Sequence, residues 1–204
     1  PAIIFLAYPN NPTGNLWSKE DIEAIIKQSN GVVVVDEAYG AFSRESFISK
    51  IDEFENLIIM KTFSKVGLAG IRLGYLFSNK YIIKQINKLR LPFNINSISQ
   101  KISEISIDSS YLEDQIEEII LLRSSLILEL RNIKKIEVYD SKTNFILFKI
   151  LEGSANEVFE SLLSDNILIK NMSKMPGLKN FLRVTIGSKK ENNLFIQSLK
   201  NAII

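Results

Sequence analysis

The chain has 204 residues, no cysteine, no histidine, and 25 basic against 23 acidic side chains, for a net charge of +2. That composition excludes disulfides, cysteine or histidine metal sites and histidine-based triads. It also gives no general attraction to nucleic acid or membranes, so any anion must be held locally. With 46% hydrophobic residues, no apolar run near the ~18 residues of a membrane span and no basic segment ahead of the first strand, the sequence predicts a globular, cytoplasmic protein.

Ile3 to Ala7 reads as a buried strand, and Pro9, Pro12 and Gly14 mark the turn after it. Ser18, with Asp21 three residues on, resembles a capping box opening a helix over Lys19 to Gln28, whose Ile22, Ile25 and Ile26 share a face; Asn30-Gly31 ends it. Val32 to Val35 then form a fully buried strand, completing a βαβ unit of a parallel sheet covered by helices on both faces. Leu57 to Met60 and Leu73 to Phe77 add two more strands. Tyr81 to Leu91, closed by Pro92, predicts a helix with Ile82, Ile83, Ile86 and Leu89 inward, and Ile98 to Ile107 a second. From Tyr111 to Ile133 a long helical pattern carries Ile116, Ile119, Ile120, Arg123, Ile127 and Leu130 at spacings of three and four, long enough to bridge two lobes.

Beyond it the pattern changes to strands at Ile136–Tyr139, Phe145–Ile150, Leu168–Lys170 and Phe181–Ile186, with helices at Ala155–Leu163 and Lys190–Ala202. This is an α+β layer of its own. The predicted fold is therefore α/β, with a parallel-rich sheet in a larger domain over residues 1–112 and a smaller α+β domain over residues 113–204.

Between the strand ending at Met60 and the one starting near Gly74 lies a loop with two hydroxyls, two lysines, glycines and an arginine. Thr62, Ser64 and Arg72 supply donors suited to a phosphate, and Gly67 and Gly70 let backbone come close to it. Lys65 is placed to reach a carbonyl carbon and form a Schiff base if its pKa is lowered; the same segment also reads as a surface turn with a solvated lysine. Asp36 ends the valine strand, where a carboxylate needs a partner, and an N-cap is the alternative use. Tyr39 suits either a hydrogen bond to a ligand or a core position, and Asn11 either a ligand contact or simple turn chemistry. Arg183, alone in the apolar strand Phe181 to Ile186, calls for an anion or for an edge position where it can snorkel.

Pro9-Asn10-Asn11-Pro12-Thr13-Gly14, Asp36-Glu37-Ala38-Tyr39 and Ser64-Lys65 occur in this order. Together they resemble the fold-type I pyridoxal-phosphate (PLP) aminotransferases, and within that family most of all the histidinol-phosphate aminotransferases. The resemblance implies PLP as cofactor, with Lys65 as its Schiff-base lysine and proton shuttle. It implies that Asp36 pairs with the pyridine nitrogen, that Tyr39 and Asn11 meet the ring oxygen, and that Thr62, Ser64 and Arg72 hold the phosphate. Arg183 matches the arginine that grips the α-carboxylate of glutamate. Lys170 stands where similar sequences often have an arginine associated with the substrate phosphate, so charge is kept but the bidentate fork is lost. Glu37 matches the motif without an evident ring contact, and Asn144-Phe145-Ile146 resembles the family without a clear chemical role.

The implied reaction moves an amino group between histidinol phosphate and 2-oxoglutarate in a homodimer, acting on small amino-acid and phosphate substrates. Alternatives that share these motifs are a threonine-phosphate decarboxylase, an aromatic aminotransferase and a ligand-sensing domain of a transcription regulator. The opening Pro1-Ala2-Ile3 reads as an interior start, with an N-terminal portion of the family's enzymes lying outside the sequence.

Overall fold

The structure, a computed structural model, describes residues 1–107 and 110–203 and divides into two units. One comprises Pro1–Asn10 with Leu16–Ile116, the other Asn11–Asn15 with the chain from Glu117 onward.

In the first unit β1 (Ile3–Ala7), β2 (Val32–Asp36), β3 (Leu57–Thr62) and β4 (Gly74–Ser78) form one sheet in sequence order. The first three strands are parallel and β4 runs antiparallel to β3. Alternation sorts the apolar residues to two faces. Val33, Val35, Leu57 and Ile59 pack with Ile22 and Ile26 of helix α1 (Lys19–Gln28), while the buried Val34 and Ile58 occupy the other face. Ser18 caps α1 by accepting the Asp21 N–H at 3.1 Å. Ile25, expected on the same inward face, is exposed.

Two expectations fail in this unit. β1 is an edge strand rather than a buried one, with Ile3 55% and Phe5 65% exposed, because only β2 pairs with it among the described residues. Helix α2 (Lys80–Leu89), capped by Asn79, half-buries Ile82, Ile83 and Ile86 as expected, but Leu89, expected inward, is exposed. Helix α3 (Ser97–Ile107) goes further: Ser99 and Ser103 are buried while Ile98, Ile105 and Ile107 are exposed. Ser99 faces inward because its hydroxyl donates to the Ile71 carbonyl at 2.8 Å and its N–H meets the Asn96 side chain at the same distance.

Helix α4 (Tyr111–Arg131) contains the division between the units, which falls after Ile116, a few residues past the expected 112/113 boundary. Its second half belongs to the core of the second unit through Leu126, Ile127 and Leu130. There β5 (Ile136–Val138), β6 (Phe145–Ile150), β7 (Lys170–Asn171) and β8 (Phe181–Thr185) make an antiparallel sheet in the order β5-β6-β8-β7. Helices α5 (Ala155–Ser164) and α6 (Lys189–Ala202) contribute Val158, Leu162, Phe195 and Leu199 to the same core. α6 starts with a reciprocal capping box between Ser188 and Glu191. No helix among the described residues is long and apolar enough to cross a membrane.

Candidate active site

Because β2 and β3 are parallel neighbours, their C-terminal ends lie side by side, with Asp36 opposite Met60. The loops that follow carry the expected cofactor residues of the first unit, as the ends of parallel strands commonly do. Asp36 Oδ1 accepts the Ala38 N–H at 2.9 Å, which bends the chain after the strand and leaves the second carboxylate oxygen for another donor. Three residues on, the Tyr39 ring lies beneath the Lys65 ammonium, whose nitrogen is 5.4 Å from the ring centroid. The carboxylate, phenol and amine thus come from two neighbouring strand ends.

The Lys65 loop is braced from inside. The Thr62 hydroxyl donates to the Leu73 carbonyl at 3.3 Å and accepts the Ser64 N–H at 3.0 Å, so its proton is committed within the loop. Ser64 and Arg72 are the groups this leaves to face an anion. Arg72 adopts a left-handed conformation at φ 54 and one of its guanidinium nitrogens donates to the Ala69 carbonyl at 3.3 Å. Gly67, at φ 94, is needed for the turn itself. At both Gly67 and Gly70 a side chain would meet open space. Lys65 is exposed.

Glu37, given no role from the sequence, is the buried anchor of this region at 2% exposure. It accepts the Phe47 N–H at 2.6 Å and the Ser46 hydroxyl at 2.7 Å, and it pairs with Lys61 at 3.1 Å. That trio satisfies a carboxylate that would otherwise be costly to bury, and it ties the chain after β2 to the end of β3.

The remaining predicted residues belong to the second unit. Arg183 on β8 donates from Nη1 to Asn11 Oδ1, and its guanidinium carbon sits 4.5 Å from the Phe145 ring centroid. Its Nε is buried with no hydrogen-bond partner among the described residues. A buried, unused guanidinium donor is expensive, and an incoming carboxylate or phosphate would satisfy it. With Asn11 Oδ1 engaged, the Nδ2 donors of that amide remain for a second partner. Lys170 on β7 is the direct cross-strand neighbour of Arg183, so the two cations emerge on one face of the sheet. Phe145 is the platform under Arg183, a contact that Asn144-Phe145-Ile146 does not disclose in sequence.

The family model for aminotransferase class I and II matches residues 1–199. The chain belongs to this family. A histidinol-phosphate aminotransferase 2 from Nitrosococcus oceani is 44% identical over 202 residues, covering 98% of this chain and 56% of that protein. The chain therefore spans little more than half the length of the curated relative it matches. Among solved structures, the histidinol-phosphate aminotransferase of Clostridium acetobutylicum is similar with a TM-score of 0.92 and 29% identity, over 99% of this chain and 64% of that one. That of Sinorhizobium meliloti, solved with pyridoxal-5'-phosphate, has a TM-score of 0.84 and 27% identity, over 99% and 57%. The expected α/β fold with a parallel-rich sheet agrees with these likenesses.

Proposed function

We propose that the full-length protein is a PLP-dependent transaminase of histidine biosynthesis, cytoplasmic and homodimeric, exchanging an amino group between histidinol phosphate and 2-oxoglutarate. The observation that carries the reading is the Lys65 ammonium over the Tyr39 ring, beside the strand end that bears Asp36. The 44% identity to a histidinol-phosphate aminotransferase supports the choice of substrate.

The residues suit an anionic pyridine aldehyde. When bound, PLP supplies an aldehyde carbon for amines and a ring that accepts the electrons left at the substrate α-carbon. Asp36, with one oxygen used by its own turn, keeps the other for a ring N–H. Ser64 and Arg72 serve the phosphate, with the Thr62 hydroxyl holding the loop that presents them. Lys65 takes the α-proton as a base and returns it as an acid. Arg183 binds the α-carboxylate of glutamate through Nε and a terminal nitrogen, and Lys170 helps neutralise the phosphate of the other substrate.

The test supplies the full-length protein with histidinol phosphate, 2-oxoglutarate and PLP and follows glutamate. Stoichiometric glutamate is the expected result. Carbon dioxide release from threonine phosphate without consumption of 2-oxoglutarate would favour the decarboxylase instead.

A further inference from the structure

We propose that Arg123 is a positioning residue for the substrate-anion arginine, acting through the turn at residues 141–145 and the Phe145 ring. The inference rests on the reading of Arg183 as the anion-binding arm.

Arg123 lies on α4 and is 6% exposed, an unusual position for a guanidinium with no part in the proposed chemistry. Its Nη1 donates to the Thr143 carbonyl at 2.8 Å. Thr143 in turn works with Ser141: their hydroxyls lie 2.8 Å apart, and both donate to the Phe145 carbonyl, at 3.0 and 2.5 Å. The Phe145 N–H returns a bond to the Thr143 hydroxyl at 3.2 Å. Ser141, Thr143 and Phe145 are all buried, and these bonds together fix the position of Phe145. Phe145 then presents its ring to the Arg183 guanidinium at 4.5 Å.

The same turn also reaches the second ligand of Arg183. Lys142 N–H donates to the Gly14 carbonyl at 2.7 Å, and a side chain at Gly14 would meet Ser141 Oγ at 2.8 Å. The short stretch from Asn11 to Gly14 is thereby held against residues 141–142, and Asn11 accepts from Arg183. One buried arginine thus steadies both the ring beneath Arg183 and the amide beside it. Burial also draws its pKa down, yet a guanidinium stays a cation and a donor.

The experiment is a double-mutant cycle in the full-length holoenzyme, read by calorimetric binding of glutarate, an unreactive dicarboxylate. Arg123→Met and Phe145→Leu are each expected to weaken glutarate about tenfold, the scale of one partly desolvated cation–π contact. The double variant should lose no more than the worse single, because both lesions break one chain of support. Arg123→Lys, which keeps a donor for the Thr143 carbonyl, should recover most of the affinity while KM for 2-oxoglutarate falls back and kcat stays level. Additive losses, or Arg123→Met with unchanged glutarate affinity, would overturn the proposal. Arg183→Lys separates the two ideas: if it leaves glutarate binding intact, the anion-arm reading has failed; if it abolishes binding while Arg123→Met does not, only the positioning role has.

Discussion

Lys170 and Arg183 stand directly opposite each other in the antiparallel pair β7–β8, and like charges in that relationship repel. The sheet tolerates the opposition, which is what a site for a multiply charged anion requires. Lys170→Glu should therefore stabilise the folded protein by a few tenths of a kcal/mol and at the same time weaken histidinol phosphate by tenfold or more. Thermal unfolding and single-turnover kinetics on one variant give the two signs. A fall in both would make Lys170 an ordinary structural lysine.

Glu37 links the chain after β2 to Lys61 on β3, and removing it would leave Ser46, the Phe47 N–H and a lysine without their acceptor. Glu37→Leu should cost roughly 3–5 kcal/mol, the range for breaking a buried charge pair. Glu37→Gln should cost less, because one amide oxygen still serves the Phe47 N–H. Urea unfolding with unchanged m-values would measure both.

Tyr8 is buried edge-on against Phe47, with ring centroids 5.0 Å apart, and burial raises its phenol above 10.0, opposed by the nearby Lys19 charge. An acid whose folded pKa exceeds its unfolded value adds stability that is complete below pH 10 and is lost as pH rises through the folded value. Stability should thus fall on the alkaline side of pH 10, and Tyr8→Phe should flatten that limb. The check is the unfolding midpoint between pH 8 and 11.

The order of elements was legible because period-two and period-three-to-four patterns are local properties of sequence. The exceptions are where partners outside the pattern decide. α3 shows helical spacing of isoleucines, but Ser99 is turned inward by the Ile71 carbonyl, which no periodicity reveals. β1 has the composition of a buried strand and sits at a sheet edge, since composition does not say how many neighbours a strand has. In the candidate site, Lys65, Asp36 and Arg183 were visible as motif residues. Glu37, Arg123 and Phe145 were also in view, but their burial and their contacts distant in sequence are visible only in the fold.

The Thr62 hydroxyl is predicted to serve the loop more than the ligand, since its proton goes to the Leu73 carbonyl. Thr62→Ser should keep both internal hydrogen bonds and near-normal turnover. Thr62→Val should lose about 1 kcal/mol of loop stability, seen as faster amide exchange at Ser64.

The central claim is that Lys65 carries the cofactor. Borohydride reduction of the full-length protein loaded with PLP, followed by peptide mapping, tests it most directly. The account predicts a pyridoxyl label on the peptide containing Lys65 and none in Lys65→Ala. A label on Lys61 or any other lysine of the wild-type protein would contradict it.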